Sequence, residues 1–290
     1  MKLGLGLGVN SVTSQKVGGF TGILDEFTGA QAAYSIRRLS GSYAGDAIRV
    51  RRSSDDSEQD IAFTGSGDLD TTSLLAFVGT GGTDNGFVTI WYDQSGNTRN
   101  ATNSAAAEQP KIVSGGALVT VDSKAGIDFD GSDDFLSGAA KTTIANTAIF
   151  CVIKSDSNTQ DSVFIQNAVN AGNLVAIGLG GGGALSKLGS RLKVESSNVD
   201  HAGDSSFTAT TQTLVSFFAD NSACQLFIDG TEETANVVSR STGSATTIGA
   251  KGDGNNPFNG KMQEVIFYDS DESSNRSGIE SNINTHFSIF

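Results

Sequence analysis

The residues best suited to chemistry in this chain are acidic and amide side chains that gather where apolar runs break. The strand-like run Val88-Thr-Ile-Trp-Tyr92 gives way to Asp93-Gln-Ser-Gly-Asn97, with Asn100 close behind. A carboxylate delivered by a strand end can act as acid, base or hydroxyl acceptor, and the same residue types also build turns. A second cluster, Asp128, Asp130, Asp133 and Asp134 in "DFDGSDDF", offers oxygens that suit Ca2+. Asp128 and Asp130 flank Phe129 in a strand pattern, however, and no EF-hand-type spacing surrounds them. The expectation is no bound cofactor and no metal, with Ca2+ the one ion these residues could take. A third set, Arg49, Arg51 and Arg52, faces Asp55, Asp56 and Asp60 across a short polar loop. It reads as a solvated hairpin with cross-strand ion pairs in preference to a ligand site.

Other motifs carry less. "GLGGGGALSKLG" at 178–189 has no βαβ unit around it to present amides to a pyrophosphate, so it reads as a hairpin tip. Cys151 and Cys224 each sit in an apolar run and read as core thiols, whose pairing the sequence leaves open. With only His201 and His286 to add, no zinc spacing exists.

These residues need elements to hold them. Thirty-six glycines against two prolines, in a chain that is 37% hydrophobic, predict many tight turns between short strands. The length of 290 residues suits one β-sandwich domain over 21–290, preceded by a Gly-rich docking arm over 1–20. Ala30, Ala32, Ala33, Tyr34, Ile36 and Leu39 predict a short helix within 21–40 that carries Arg37 and Arg38. Residues 69–79 predict a second helix, opened by a hydroxyl cap and closed by Gly79. From 127 onward, apolar runs recur about every ten residues, the profile of an antiparallel two-sheet sandwich. Ile279, Ile283 and Phe287 predict an amphipathic C-terminal helix.

The net charge of −13 argues against a nucleic-acid partner. No run approaches the ~20 apolar residues of a membrane span, so no membrane insertion is expected. The opening "MKLGLGLGVNSVTSQ" lacks the features of a secretory signal.

Three segments resemble known families. "LFIDGT", "TTIGAKGDGNNPFNGKMQEVIFYD" and "RSGIESNINTHF" are similar to the closing strands and terminal helix of concanavalin A-like (laminin-G-like) lectin/glucanase jelly rolls. The resemblance implies an all-β, two-sheet antiparallel jelly roll with a few short helices and a C-terminal helix. "YSIRRLSGSYAGDAIRVRR" followed by "VTIWYDQSGN" resembles the catalytic domain of α-L-arabinofuranosidase B, glycoside hydrolase family 54. That family's acid/base aspartate maps to Asp253, whereas the glutamate nucleophile following Asn-Ala maps to Val169, after Asn167 and Ala168. Retaining glycosidases need two carboxyl groups about 5 Å apart, and valine cannot attack an anomeric carbon. The resemblance therefore implies the scaffold without the reaction. A hydrolase with Asp253 as acid and Asp161, Glu195 or Asp200 as nucleophile is the alternative. The arm "LGLGLGVN" resembles the openings of tailed-bacteriophage structural proteins, which implies a virion component made in the host cytoplasm. Its expected partners are other virion proteins, further copies of itself and host-surface glycans. As a lectin-like domain it would offer sugars Asp93, Asn97, Asn100, Asp253, Asn255, Asn256 and Phe258.

Overall fold

In a computed structural model, the described residues are 19–138, 146–157, 162–170, 173–179, 187–194, 197–206, 208–219, 224–233, 245–250 and 256–290. The N-terminal half holds α1 (Ile23–Glu26), β1 (Ala30–Ser35), β2 (Ile48–Arg52), β3 (Glu58–Ile61), α2 (Thr71–Val78), β4 (Gly86–Trp91) and β5 (Ala101–Thr102). Then come β6 (Lys111–Ser114), β7 (Ala117–Leu118), β8 (Thr120–Val121), β9 (Lys124–Ala125), β10 (Ile127–Asp130) and β11 (Leu136–Gly138). Longer strands follow: β12 (Thr147–Ser155), β13 (Ser162–Asn170), β14 (Asn173–Leu179), β15 (Lys187–Val194) and β16 (Ser197–Ser206). The chain closes with β17 (Gln212–Ala219), β18 (Cys224–Ile228), β19 (Thr231–Glu232), β20 (Ala245–Ile248), β21 (Asn259–Tyr268) and α3 (Arg276–Phe287).

All strand pairs between these elements are antiparallel, and they form two layers. In one, β1 and β10 lie end to end along one edge of β21, which continues through β12, β17 and β18 to β19. In the other, β3, β2, β4, β5, β11, β20, β13, β14, β15 and β16 follow one another. A single register point, Asp128 opposite Lys111, joins the layers through β10 and β6. Tyr34 of the first layer meets Trp91 of the second at 5.8 Å between ring centroids. Both rings are fully buried, and aromatic pairs at such spacing add about 0.5–1.5 kcal/mol beyond their area burial. β12, "TAIFCVIKS", is buried at eight of its nine positions, as expected for a central strand covered on both faces. Helix α3, which packs on the neighbouring β17, buries Ile279, Ile283 and Phe287 as its spacing predicts.

Two local expectations are corrected. Only Ile23–Glu26 of the stretch 21–40 is helical, and Ala30–Ser35 is a strand. Gly29 at φ 89° turns the chain, and the backbone of Ala33 and Tyr34 then pairs with Ile266 and Val265 of β21. Partners more than 200 residues away override a local helical pattern. The second helix does run from Thr71 to Val78 before Gly79, but its cap is the Asp70 carboxylate. Asp70 accepts from the Ser73 N–H at 3.0 Å and the Ser73 hydroxyl at 2.6 Å. β16 was not anticipated. The glycine run at 180–186 lies outside the described residues, although Leu179 opposite Leu188 makes its flanks a hairpin.

Candidate functional site

The turn after β4 is built from its acidic residue outward. Asp93, 4% exposed, accepts the N–H groups of Ala33 (2.8 Å), Ser95 (2.9 Å) and Arg99 (2.9 Å), and the Ser95 hydroxyl (2.8 Å). Asn100 Oδ1 accepts the Asp93 N–H at 3.0 Å, and Asn97 Nδ2 donates to the carbonyls of Ala30 and Gln31 at 3.0 and 3.1 Å. Gln94, almost fully buried, takes the Leu39 N–H at 2.8 Å and donates to the carbonyls of Ser35 and Arg37. Gly96 supplies a positive φ of 88°. The motif therefore stitches β4 to β1, and its polar groups serve the backbone.

Asp253, Asn255, Asp161 and Glu195 lie outside the described residues. Asn256 is in the left-handed region at φ 50°. Phe258, expected to be a loop aromatic, is fully buried against Phe129, with ring centroids 6.2 Å apart. Gly249 makes room for this contact: a Cβ there would lie 2.3 Å from the Phe129 ring, and its φ is 93°. Val169 is in β13 and Asp200 in β16, whose backbone pairs Asp200 with Arg191.

Three of the four clustered aspartates converge. One carboxylate oxygen each from Asp130, Asp133 and Asp134 lie within 4.8 Å of one another. Asp128 turns away to Lys261 at 3.2 Å. Burial, and then the charges of Asp130 and Asp133, push Asp134 up to about 7, while its Oδ2 accepts the Asp130 N–H at 2.9 Å. The Asp134 carboxylate thus serves the turn itself, through its bond from the Asp130 N–H.

The face of the second layer carries a different arrangement. Its register sets Asp60, Arg49, Ile90, Thr102, Ser137 and Thr247 in one row across the strands. Arg49 grips Asp60 through two bonds of 2.7 Å, and the Tyr92 hydroxyl donates to Asp60 at 2.6 Å. The guanidinium's hydrogen bonds hold the Asp60 carboxyl below its ordinary range. Arg49–Asp60 is the cross-strand ion pair that the hairpin pattern predicts, whereas Arg51 pairs with Asp56 and Arg52 with Asp55 in the connecting turn.

Beside this row a cleft of about 690 Å³ opens over β4, β5 and β11. Its apolar patches are Ile90 and Phe135, both half-buried, and exposed Thr102, Ser104, Ser137 and Glu58 surround them. The frame beneath is tied down. Asn103 Nδ2 donates to the carbonyls of Glu108 (3.0 Å) and Phe135 (2.9 Å), and Gln109 Nε2 donates to the Asn103 carbonyl (2.9 Å). Arg51 Nε in turn donates to Gln109 Oε1 at 2.7 Å. One aromatic ring and an aliphatic side chain beside hydroxyl and carboxylate acceptors, on a fixed frame, suit the mixed surface of a sugar. Sequence reasoning considered Arg51 and missed Glu58, Ser104 and Phe135; the aromatic in "DDFLSG" was the available signal.

Comparisons with known proteins agree with this architecture. Residues 25–133 match the model for the catalytic domain of alpha-L-arabinofuranosidase B. A glycoside hydrolase family 54 α-L-arabinofuranosidase soaked with a cyclic sulfate inhibitor superposes with TM-score 0.71 at 18% identity, over 90% of this chain and 64% of that one. A glutamine mutant of such an enzyme, soaked with 4-nitrophenyl α-L-arabinofuranoside, gives 0.70 at 17% over the same shares. An arabinofuranosidase complexed with arabinofuranosyl-α-1,2-xylobiose gives 0.65 at 17%, again covering 64% of that chain. The chain thus spans less than two thirds of the length of these enzymes, and at such identities the likeness is one of fold. Comparison with curated proteins gives no match. Residues 129–275, just over half of the chain, match the model for the concanavalin A-like lectin/glucanase superfamily, and the chain belongs to that superfamily.

Proposed function

We propose that the protein is a non-catalytic, lectin-like glycan-binding module that serves in a bacteriophage particle. The observation that carries glycan binding is the cleft over β4, β5 and β11, with Phe135 and Ile90 beside Glu58, Thr102, Ser104 and Ser137. A neutral sugar would lay its C–H face on Phe135 and donate hydroxyls to Glu58. Because Asn103, Gln109 and Arg51 already fix the frame, little ordering cost is left for binding. Glycan-array screening followed by calorimetry tests this reading. Phe135→Ala should weaken the best ligand about tenfold or more; an empty array, or unchanged affinity in Phe135→Ala, would sink it.

Valine at position 169, where the related enzymes' nucleophile maps, supports a binding role over a catalytic one. The match of residues 25–133 to a catalytic-domain model keeps a hydrolase as the second reading. Release of 4-nitrophenol from an arabinofuranoside, abolished by Asp253→Asn, would establish it. The particle setting and self-association rest on the arm "LGLGLGVN". Deleting residues 1–20 should leave a folded domain that no longer joins particles, and normal incorporation would remove the anchoring role.

A further inference from the structure

A second cavity, about 720 Å³, lies where α1, the segment after β1, the Gly67 turn, β9 and α3 converge. Its chemistry differs from that of the sheet cleft. The chain has 32 acidic residues against 19 basic ones, and most of its described arginines find carboxylates: Arg37, Arg49, Arg51, Arg52 and Arg276 are each ion-paired. Arg38 and Lys124 form no such pair among the described residues, and both line this cavity. Arg38 is held in place by the Ser40 carbonyl (2.9 Å), the Gly41 carbonyl and the Phe20 ring, 4.8 Å away. Lys124 stands on the short β9 strand beside a turn with two positive-φ residues, Asp122 and Ser123.

Arg37 belongs to the wall. Its charge is met by Glu264, and it donates to Asn282 Oδ1 at 3.0 Å, which fixes the Asn282 amide on α3. Burial and the nearby charges of Arg37 and Lys124 lower His286 to about 4, so this fourth lining group is neutral near pH 7. Two carboxylates, Glu26 and Asp68, are exposed on the lining, with the hydroxyls of Ser281 and Thr285 beside them.

Such a lining discriminates among ligands. Phosphate, which carries more negative charge near pH 7 than a single carboxylate, and sulfate, which has no hydrogen to donate, would both be repelled by Glu26 and Asp68. A neutral sugar would give Arg38 and Lys124 no carboxylate of its own to bind. A sugar acid satisfies both sets, its carboxylate taking charge-assisted bonds from the two cations and its hydroxyls donating to the two carboxylates. We propose that this cavity binds a sugar acid of the hexuronate class, at a site separate from the sheet cleft.

The test uses the full chain and calorimetry with sodium glucuronate, methyl glucoside and sodium phosphate as separate probes, at matched ionic strength. Wild type should bind glucuronate, with methyl glucoside and phosphate each at least about tenfold weaker. Lys124→Gln should cut glucuronate affinity by about the same factor while leaving far-UV circular dichroism unchanged, and Phe135→Ala should not alter it. Thr285→Val, which removes a hydroxyl on the same lining, should weaken glucuronate without creating phosphate binding. The proposal is overturned if glucuronate does not bind, if phosphate or methyl glucoside binds as well, if Lys124→Gln has no effect, or if Phe135→Ala abolishes binding.

Discussion

Asp93 is a structural carboxylate because four donors converge on it and it is almost fully buried. Asp93→Ala should therefore cost about 2–4 kcal/mol in urea unfolding, since one buried and two part-buried N–H groups lose their acceptor, and leave the affinity of any ligand of the sheet cleft unchanged. Asp134 makes a pH prediction. The folded state keeps its proton up to about pH 7, whereas the unfolded chain releases it near pH 4. The folded state thus binds the extra proton across that window, and stability falls as pH rises from about 4 to 7. Asp134→Asn keeps an acceptor for the Asp130 N–H and should flatten that slope, stabilising the protein at pH 8 by on the order of 2 kcal/mol. An unchanged slope in equilibrium unfolding from pH 4 to 8 would refute it. The Ser95 half of the Asp93 turn is readable from sequence, because an Asx turn is local. The Ala33 half is not, because it depends on a strand 60 residues upstream.

At the scale of elements, the first layer is joined to α3 through one buried ion pair. Glu264 on β21 is fully buried and meets Arg37 through bonds of 2.7 and 2.9 Å, while Arg37 reaches Asn282 on α3. Arg37→Met alone should destabilise by about 3–5 kcal/mol, as it strands a buried carboxylate; Arg37→Met with Glu264→Leu should recover most of that loss. A double variant no more stable than the single one would assign the cost to packing instead. Helices α2 and α3 are readable in sequence because their apolar spacing is local, as Leu74, Val78, Ile279 and Ile283 illustrate. Ala30–Ser35 misleads for the opposite reason. Its alanines suit either element, and the choice falls to β21, which supplies the missing ladder of hydrogen bonds.

At the scale of the whole molecule, the register decides the fate of the cysteines. Cys151 is opposite Val215 and Val215 opposite Ile228, whereas Cys224 is opposite Ala219. The two cysteines are two strands apart and displaced along them, beyond the ~7 Å limit for a disulfide. Cys151 is a free thiol, and burial raises it to about 12. Reductant should leave the melting temperature unchanged, and Cys151 should react with a thiol reagent only on unfolding; rapid labelling of the native protein at Cys151 would contradict this. The sequence by itself determined the fold class, the many short strands, the charged hairpin, the terminal helix and the turn chemistry of Asp93, because periodicity and local hydrogen bonding are written within a few residues. Only the tertiary structure decided that β1 is a strand, that Phe258 is core, and that Glu58, Phe135 and Ser137 share one cleft while Arg38 and Lys124 share another. Those outcomes depend on which antiparallel strands pair and in what register, and pairing between residues a hundred or more positions apart leaves no signature in any short window of sequence.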